Sequence, residues 1–180
     1  MVSVAPIRFA RVGGVAIAFQ TWGAGDVDVV IVPPLAQNIE LAWERPEYQA
    51  FFGRLGSFAR VLHLDKRGTG ASDRTERMPT IDERVEDLLA VMDTADLERA
   101  HVLGLSEGGP VAIALAATYP DRVQTLTLFG SGARTVGDET DEEREARLAG
   151  VRWFHRTWGT EQSVTLDVFA PSVAGDEGYR

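Results

Sequence analysis

The chain contains no cysteine. Disulfide scaffolding, thiolate metal ligation and thiol nucleophiles are excluded with it. Histidine is nearly as scarce: of 180 residues three are His, at positions 63, 101 and 155, so an imidazole base drawn from this chain has only those candidates. Positive charge is the minority sign, with 18 Lys and Arg against 27 Asp and Glu and a formal net charge of -9. Phosphate binding depends largely on neutralisation by Lys and Arg, so neither nucleic acid nor an anionic membrane is an expected partner. No apolar run is long enough to span a bilayer, and residues 1–10 lack the apolar core of an export signal, which makes a cytoplasmic location the expectation. Repeats and low-complexity tracts are also missing.

What is present suits one packed domain. Hydrophobic residues make up 44% and charged residues 25%, the usual balance of a soluble globular core. Residues 7–12 and 15–21 alternate around Gly13-Gly14 and predict an antiparallel hairpin. The continuous run Val29-Val30-Ile31-Val32 before Pro33-Pro34 predicts a strand buried on both faces. Tyr48, Phe51, Phe52 and Leu55, with Pro46 at the start, predict a covering helix over 46–57. A strand over 60–65 leads into the flexible loop Lys66-Arg67-Gly68-Thr69-Gly70.

Thr80 and Glu83 form a capping box ahead of a helix over 80–95, whose apolar face is Ile81, Val85, Leu88, Leu89 and Met92. Strand 100–105, the apolar helix 111–117 and the buried-type strand 123–129 follow. Strands alternating with helices indicate a mostly parallel, right-handed sheet in a three-layer α/β/α sandwich. Beyond Gly130 an acidic run begins, with Thr140 and Glu143 as a second capping box and Trp153, Phe154 and Trp158 as the expected buried stripe. Residues 1–133 are therefore expected to be the core, and 134–180 the start of a cap or excursion.

Chemistry concentrates at Gly104-Leu105-Ser106-Glu107-Gly108, a G-x-S-x-G pentapeptide between a predicted strand and a predicted helix. A serine hydroxyl needs a base within reach and donors aimed at the oxyanion it creates. An abrupt strand-to-helix turn leaves unpaired helix-start N–H groups beside the hydroxyl, and its glycines permit the crowding. Neither glycine-rich segment has the G-x-x-x-x-G-K-[ST] order of a P-loop, so nucleotide phosphate is a poor fit.

Pro33-Pro34-Leu35, the segment Asp65-Lys66-Arg67-Gly68-Thr69-Gly70-Ala71-Ser72 and the serine pentapeptide stand after successive predicted strands. In order and spacing they resemble the oxyanion loop, the D-x-R-G-x-G-x-S turn and the nucleophile elbow of the α/β-hydrolase superfamily. More narrowly, Ile39-Glu40-Leu41-Ala42-Trp43-Glu44, Asp65-Lys66-Arg67-Gly68-Thr69-Gly70 and Gly104-Leu105-Ser106-Glu107-Gly108-Gly109-Pro110 look like a bacterial subgroup often fused to adenylate or guanylate cyclase or other regulatory domains. The resemblance implies the α/β-hydrolase fold, without its C-terminal strands in this chain. It implies Ser106 as nucleophile, and the backbone N–H of Leu35 and Glu107 as oxyanion donors. It implies a structural role for Asp65, Arg67 and Ser72. The implied activity is esterase-like acyl transfer to water, on a small-molecule ester or acyl compound, with no cofactor and no metal.

In that fold the acid and the histidine follow the serine on later loops. His63 and His101 precede Ser106 inside predicted strands, where a satisfied core or edge imidazole is the ordinary role. His155 falls among aromatics on a cap helix, and Asp138 and Asp167 have no strand-end context, so the enzyme is expected to be incomplete here. Residues 126–129 would then present an exposed sheet edge, through which self-association is expected. The alternative is a non-catalytic ligand-binding or regulatory module linked to cyclase signalling.

Overall fold

Gly13 and Gly14, both at positive φ, close a hairpin between β1 (Arg8–Val12) and β2 (Val15–Trp22). The structure is a computed structural model that describes residues 6–133, 140–158, 160, 172 and 175. The elements that follow are β3 (Val27–Val32), a 3-10 turn (Leu41–Glu44), α1 (Pro46–Gly56), β4 (Ala59–Leu64), α2 (Ile81–Thr94), β5 (Ala100–Leu105), α3 (Gly108–Thr118), β6 (Val123–Phe129) and α4 (Asp141–Thr157). Their contacts separate into two compact units, Met1–Arg134 and Thr135–Arg180. Among the described residues no helix is long and apolar enough to cross a membrane.

In the first unit the six strands form one sheet in the order β1-β2-β4-β3-β5-β6. β4, β3, β5 and β6 run parallel, and the hairpin joins antiparallel through β2 and β4. This is the mixed α/β architecture that the alternating pattern predicts. The continuous apolar run of β3 is explained by its central place. Val30 and Val32 enter the core under α2 and α3, while Val29 and Ile31 enter the core on the opposite face with Trp22, Trp43 and Phe52. Leu88, Val91 and Met92 of α2 are fully buried, and each such side chain contributes on the order of 2 kcal/mol. Thr80 caps α2 through both bonds of the predicted box. The chain passes from β3 to β4 on one side and crosses back to β5 on the other. That reversal opens a crevice at the C-terminal ends of the strands.

Three packing expectations are corrected. Only Phe52 of α1 is buried, while Tyr48 and Phe51 are about half exposed, so this helix covers its sheet face with a narrower stripe than its aromatic content implies. β6 has a buried-type sequence but is largely exposed, with Phe129 at 73%; it is the last strand of the sheet and pairs only with β5 among the described residues, which is the edge position expected for residues 126–129. In the second unit α4 carries its predicted capping box, but Thr157 is its only buried residue. Trp153 and Trp158 stay exposed, and Phe154 and Trp158 pack on each other at 4.8 Å between ring centroids, one turn apart.

Candidate active site

β5 ends at Leu105 and α3 starts at Gly108, so Ser106 and Glu107 make the whole turn between them. Ser106 has φ +48, a left-handed conformation that costs a residue with a Cβ about 1–3 kcal/mol. Two hydrogen bonds hold it there: its N–H donates to Phe129 O at 3.0 Å, and its carbonyl accepts from Gly109 N–H at 3.0 Å. The side chain is exposed. A Cβ at Gly104 would stand 2.9 Å from Ala112 Cβ, and one at Gly108 would overlap the carbonyl oxygens of Val32 and Pro33. The glycines therefore let α3 start against the end of β3, which brings the Pro33-Pro34-Leu35 loop beside the turn.

Among the described residues the N–H groups of Leu35 and Glu107 have no acceptor, and Glu107 stands at the positive end of α3. The segment around Leu35 has no regular structure, so other groups must fix it. Asp65 is one. Its carboxylate accepts Ile39 N–H at 3.0 Å and Ala71 N–H at 2.8 Å, tying the loop after β3 to the loop after β4. Ser72 Oγ donates to Asp65 O at 2.7 Å and accepts Ala18 N–H at 2.8 Å. Arg67 grips Asp87 of α2 through Nε and Nη2, and this pairing raises the already high pKa of the guanidinium. All three side chains are engaged in holding loops.

A charged triad lies next to the turn. Lys66 Nζ donates to Leu35 O at 3.0 Å and to the Glu107 carboxylate, and Arg84 Nη1 donates to the other Glu107 oxygen at 2.6 Å. Burial would push the Glu107 carboxyl up, but the hydrogen bonds and charges of two cations outweigh it and hold the group below its usual value. Lys66 moves down as well, because burial penalises its ammonium by more than the hydrogen bond and charge of Glu107 restore, and Arg84 adds a smaller repulsion.

The histidines of this unit face other neighbours. His63 on β4 is 2% exposed, with the rings of Trp22 and Phe52 at 6.0 and 5.2 Å. The Gln37 amide donates to Leu64 O at 3.2 Å and stands 2.5 Å from His63 Nε2, which assigns Nε2 as acceptor and places the proton on Nδ1. Among the described residues Nδ1 has no partner, so for His63 the expectation of a satisfied imidazole is corrected: the described cage around it is aromatic and supplies no acceptor on that side. Burial lowers this ring to about 3. His101 pairs with Thr125 Oγ1 at 2.7 Å near the start of β5, about 16 Å along the strand from Ser106. His155 is exposed on α4, in the second unit. Asp138 and Asp167 lie outside the described residues. Among the described residues no group of three His, Asp or Glu is placed to hold a metal ion.

Sequence reasoning missed the Lys66, Glu107 and Arg84 triad and the contact between Gln37 and His63. Opposite charges at positions 66 and 107, each inside a recognisable loop, were the only signal, and a single chain does not say which charges meet.

A model of the family described as alpha/beta hydrolase fold matches residues 29–163. A protein named "Putative carbamate hydrolase RutD", from a Caulobacter species, is 40% identical over 90 residues, which are 49% of this chain and 32% of that protein. Rhodomycin D methylesterase DauP, from a Streptomyces species, is 38% identical over 93 residues, 50% of this chain and 30% of that one. The crystal structure of a hydrolase from Pseudomonas aeruginosa superimposes with a TM-score of 0.70 at 26% identity, covering 95% of this chain and 62% of the other. The matched segment spans about a third of the length of these two curated relatives.

Proposed function

We propose, from the premise that the chain belongs to the alpha/beta hydrolase fold family, that it cleaves a small-molecule ester or related acyl compound through Ser106. The observation that carries this reading is the conformation of Ser106: exposed, at φ +48, between a parallel strand and a helix start. Strain maintained by two backbone bonds at an exposed hydroxyl points to function, since packing alone gives no reason for it. In the proposed reaction Ser106 Oγ attacks the substrate carbonyl carbon, and the N–H groups of Leu35 and Glu107 stabilise the tetrahedral oxyanion. Collapse breaks the bond to the leaving group, which departs as the alcohol with the proton the serine gave up, and water then attacks the acyl-serine, releasing the acid and returning a proton to Ser106 Oγ. Neither His63 nor His101 is placed to take the serine proton, so the base of a full triad lies elsewhere.

Ester is the proposed substrate class because a methylesterase is among the relatives. Residues 1–133 are proposed as the catalytic core and 134–180 as the start of a cap. The three loop motifs also support the proposal of kinship with the cyclase-linked bacterial subgroup. The test is acyl transfer from an activated ester such as p-nitrophenyl acetate. An oxyanion hole alone leaves residual turnover with or without the serine, so the discriminating readout is the covalent intermediate: the wild-type chain should become acetylated on the peptide that contains Ser106, and Ser106→Ala should not. A folded wild-type chain that takes up no acetyl group at Ser106 refutes the proposal.

A further inference from the structure

The N–H groups of Leu35 and Glu107 belong to two different loops, and no backbone hydrogen bond joins those loops to each other at these residues. Among the described residues one side chain spans the gap. Lys66, the first residue after Asp65, sends its ammonium to the carbonyl of Leu35 at 3.0 Å and to the carboxylate of Glu107. The span is long: β3 separates β4 from β5, so their ends stand about 10 Å apart, and Lys66 and Glu107 close that distance only by meeting end to end over β3. Arg84 of α2 takes the other Glu107 oxygen and keeps the carboxylate aimed at Lys66. The Lys66 side chain is 10% exposed, so solvent does little to screen the contact.

We infer that Lys66 is a positioning residue, resting on the serine hydrolase reading above, which clamps the two oxyanion donors at a fixed separation by bridging Leu35 O and the Glu107 carboxylate. Donors of this kind act because they are already in place when charge develops, and a donor that drifts loses its share of the rate. Removing the bridge leaves both N–H groups present and the serine untouched, and changes only how well they are held.

The experiment compares wild type, Lys66→Met and Lys66→Arg, with Ser106→Ala as control. Two quantities are read: the rate of labelling by a fluorophosphonate, and the microsecond to millisecond exchange broadening of the Leu35 and Glu107 amides by ¹⁵N relaxation dispersion. Lys66→Met is expected to slow labelling about tenfold to a hundredfold and to broaden both amides. The Val102 amide in the middle of β5 should be unchanged. Lys66→Arg, which keeps a cation with several donors, should restore labelling to within about fivefold. Labelling at the wild-type rate in Lys66→Met, or amides as sharp as in wild type, overturns the inference while leaving the serine reading intact. A wild-type chain that is not labelled, with amides that still broaden in Lys66→Met, supports the clamp and sinks the serine reading. Should Lys66→Met fail to melt cooperatively, Glu107→Gln removes the same ionic bridge from the other end and is held to the same two criteria.

Discussion

Replacing His63 with Phe is expected to flatten the acid side of the stability profile. In the folded chain the ring titrates at about 3, against an ordinary value of 6.5, because burial penalises the charged form. Above the ordinary value neither folded nor unfolded chain binds a proton at this ring, so its contribution to stability is fully present there. Between 6.5 and 3 only the unfolded chain binds it, and stability falls by about 1.4 kcal/mol for each pH unit of acidification. At about pH 5 the loss is about 2 kcal/mol, roughly a thirtyfold shift toward the unfolded chain. Phe keeps an aromatic ring beside Trp22 and Phe52, carries no proton, and leaves Gln37 its bond to Leu64 O. Urea unfolding followed by tryptophan fluorescence, from about pH 7.5 down to about 4.5, reads the difference directly. Other titrating groups are common to both chains and cancel. Wild type should lose about 2 kcal/mol more than the variant by about pH 5, and parallel profiles would refute the reasoning.

Two further substitutions probe the frame around Ser106. In Gly108→Ala the new methyl overlaps the carbonyl oxygens of Val32 and Pro33, which are backbone and move little, so a loss of about 1–3 kcal/mol is expected in thermal unfolding; an unchanged melting temperature would contradict the close approach of α3 to β3. In Asp65→Asn one of the two oxygens that accept Ile39 and Ala71 N–H becomes a donor, and about 1–3 kcal/mol should be lost on urea titration. An Asn variant as stable as wild type would show that Asp65 does not join the two loops.

Much of the fold was legible because the signals were local. The turn at Gly13-Gly14, the capping box at Thr80 and Glu83, and the run from Val29 to Val32 each state their conformation within a few residues. The serine turn was legible for the same reason: glycines flank Ser106 where a strand pattern gives way to a helix pattern. What a side chain meets across the sheet was harder to read. Tyr48 and Phe51 have helical spacing and core-type chemistry, yet solvent exposure is decided by where α1 sits on the sheet. β6 has the composition of a buried strand but an edge position, and composition does not report position. The bridge from Lys66 to Glu107 crosses 41 positions of sequence, and the cage around His63 draws Trp22, Gln37 and Phe52 from three separate segments. Such meetings follow from strand order, which no short window of residues encodes.

The central claim is that Ser106 Oγ is a reactive nucleophile facing two free backbone donors. Its most direct test is intact-mass and peptide mass spectrometry of the wild-type chain after exposure to a fluorophosphonate. One covalent adduct is expected, mapped to the peptide that contains Ser106 and missing from Ser106→Ala. A folded wild-type chain that takes up no reagent, or takes it up on another residue, would contradict it.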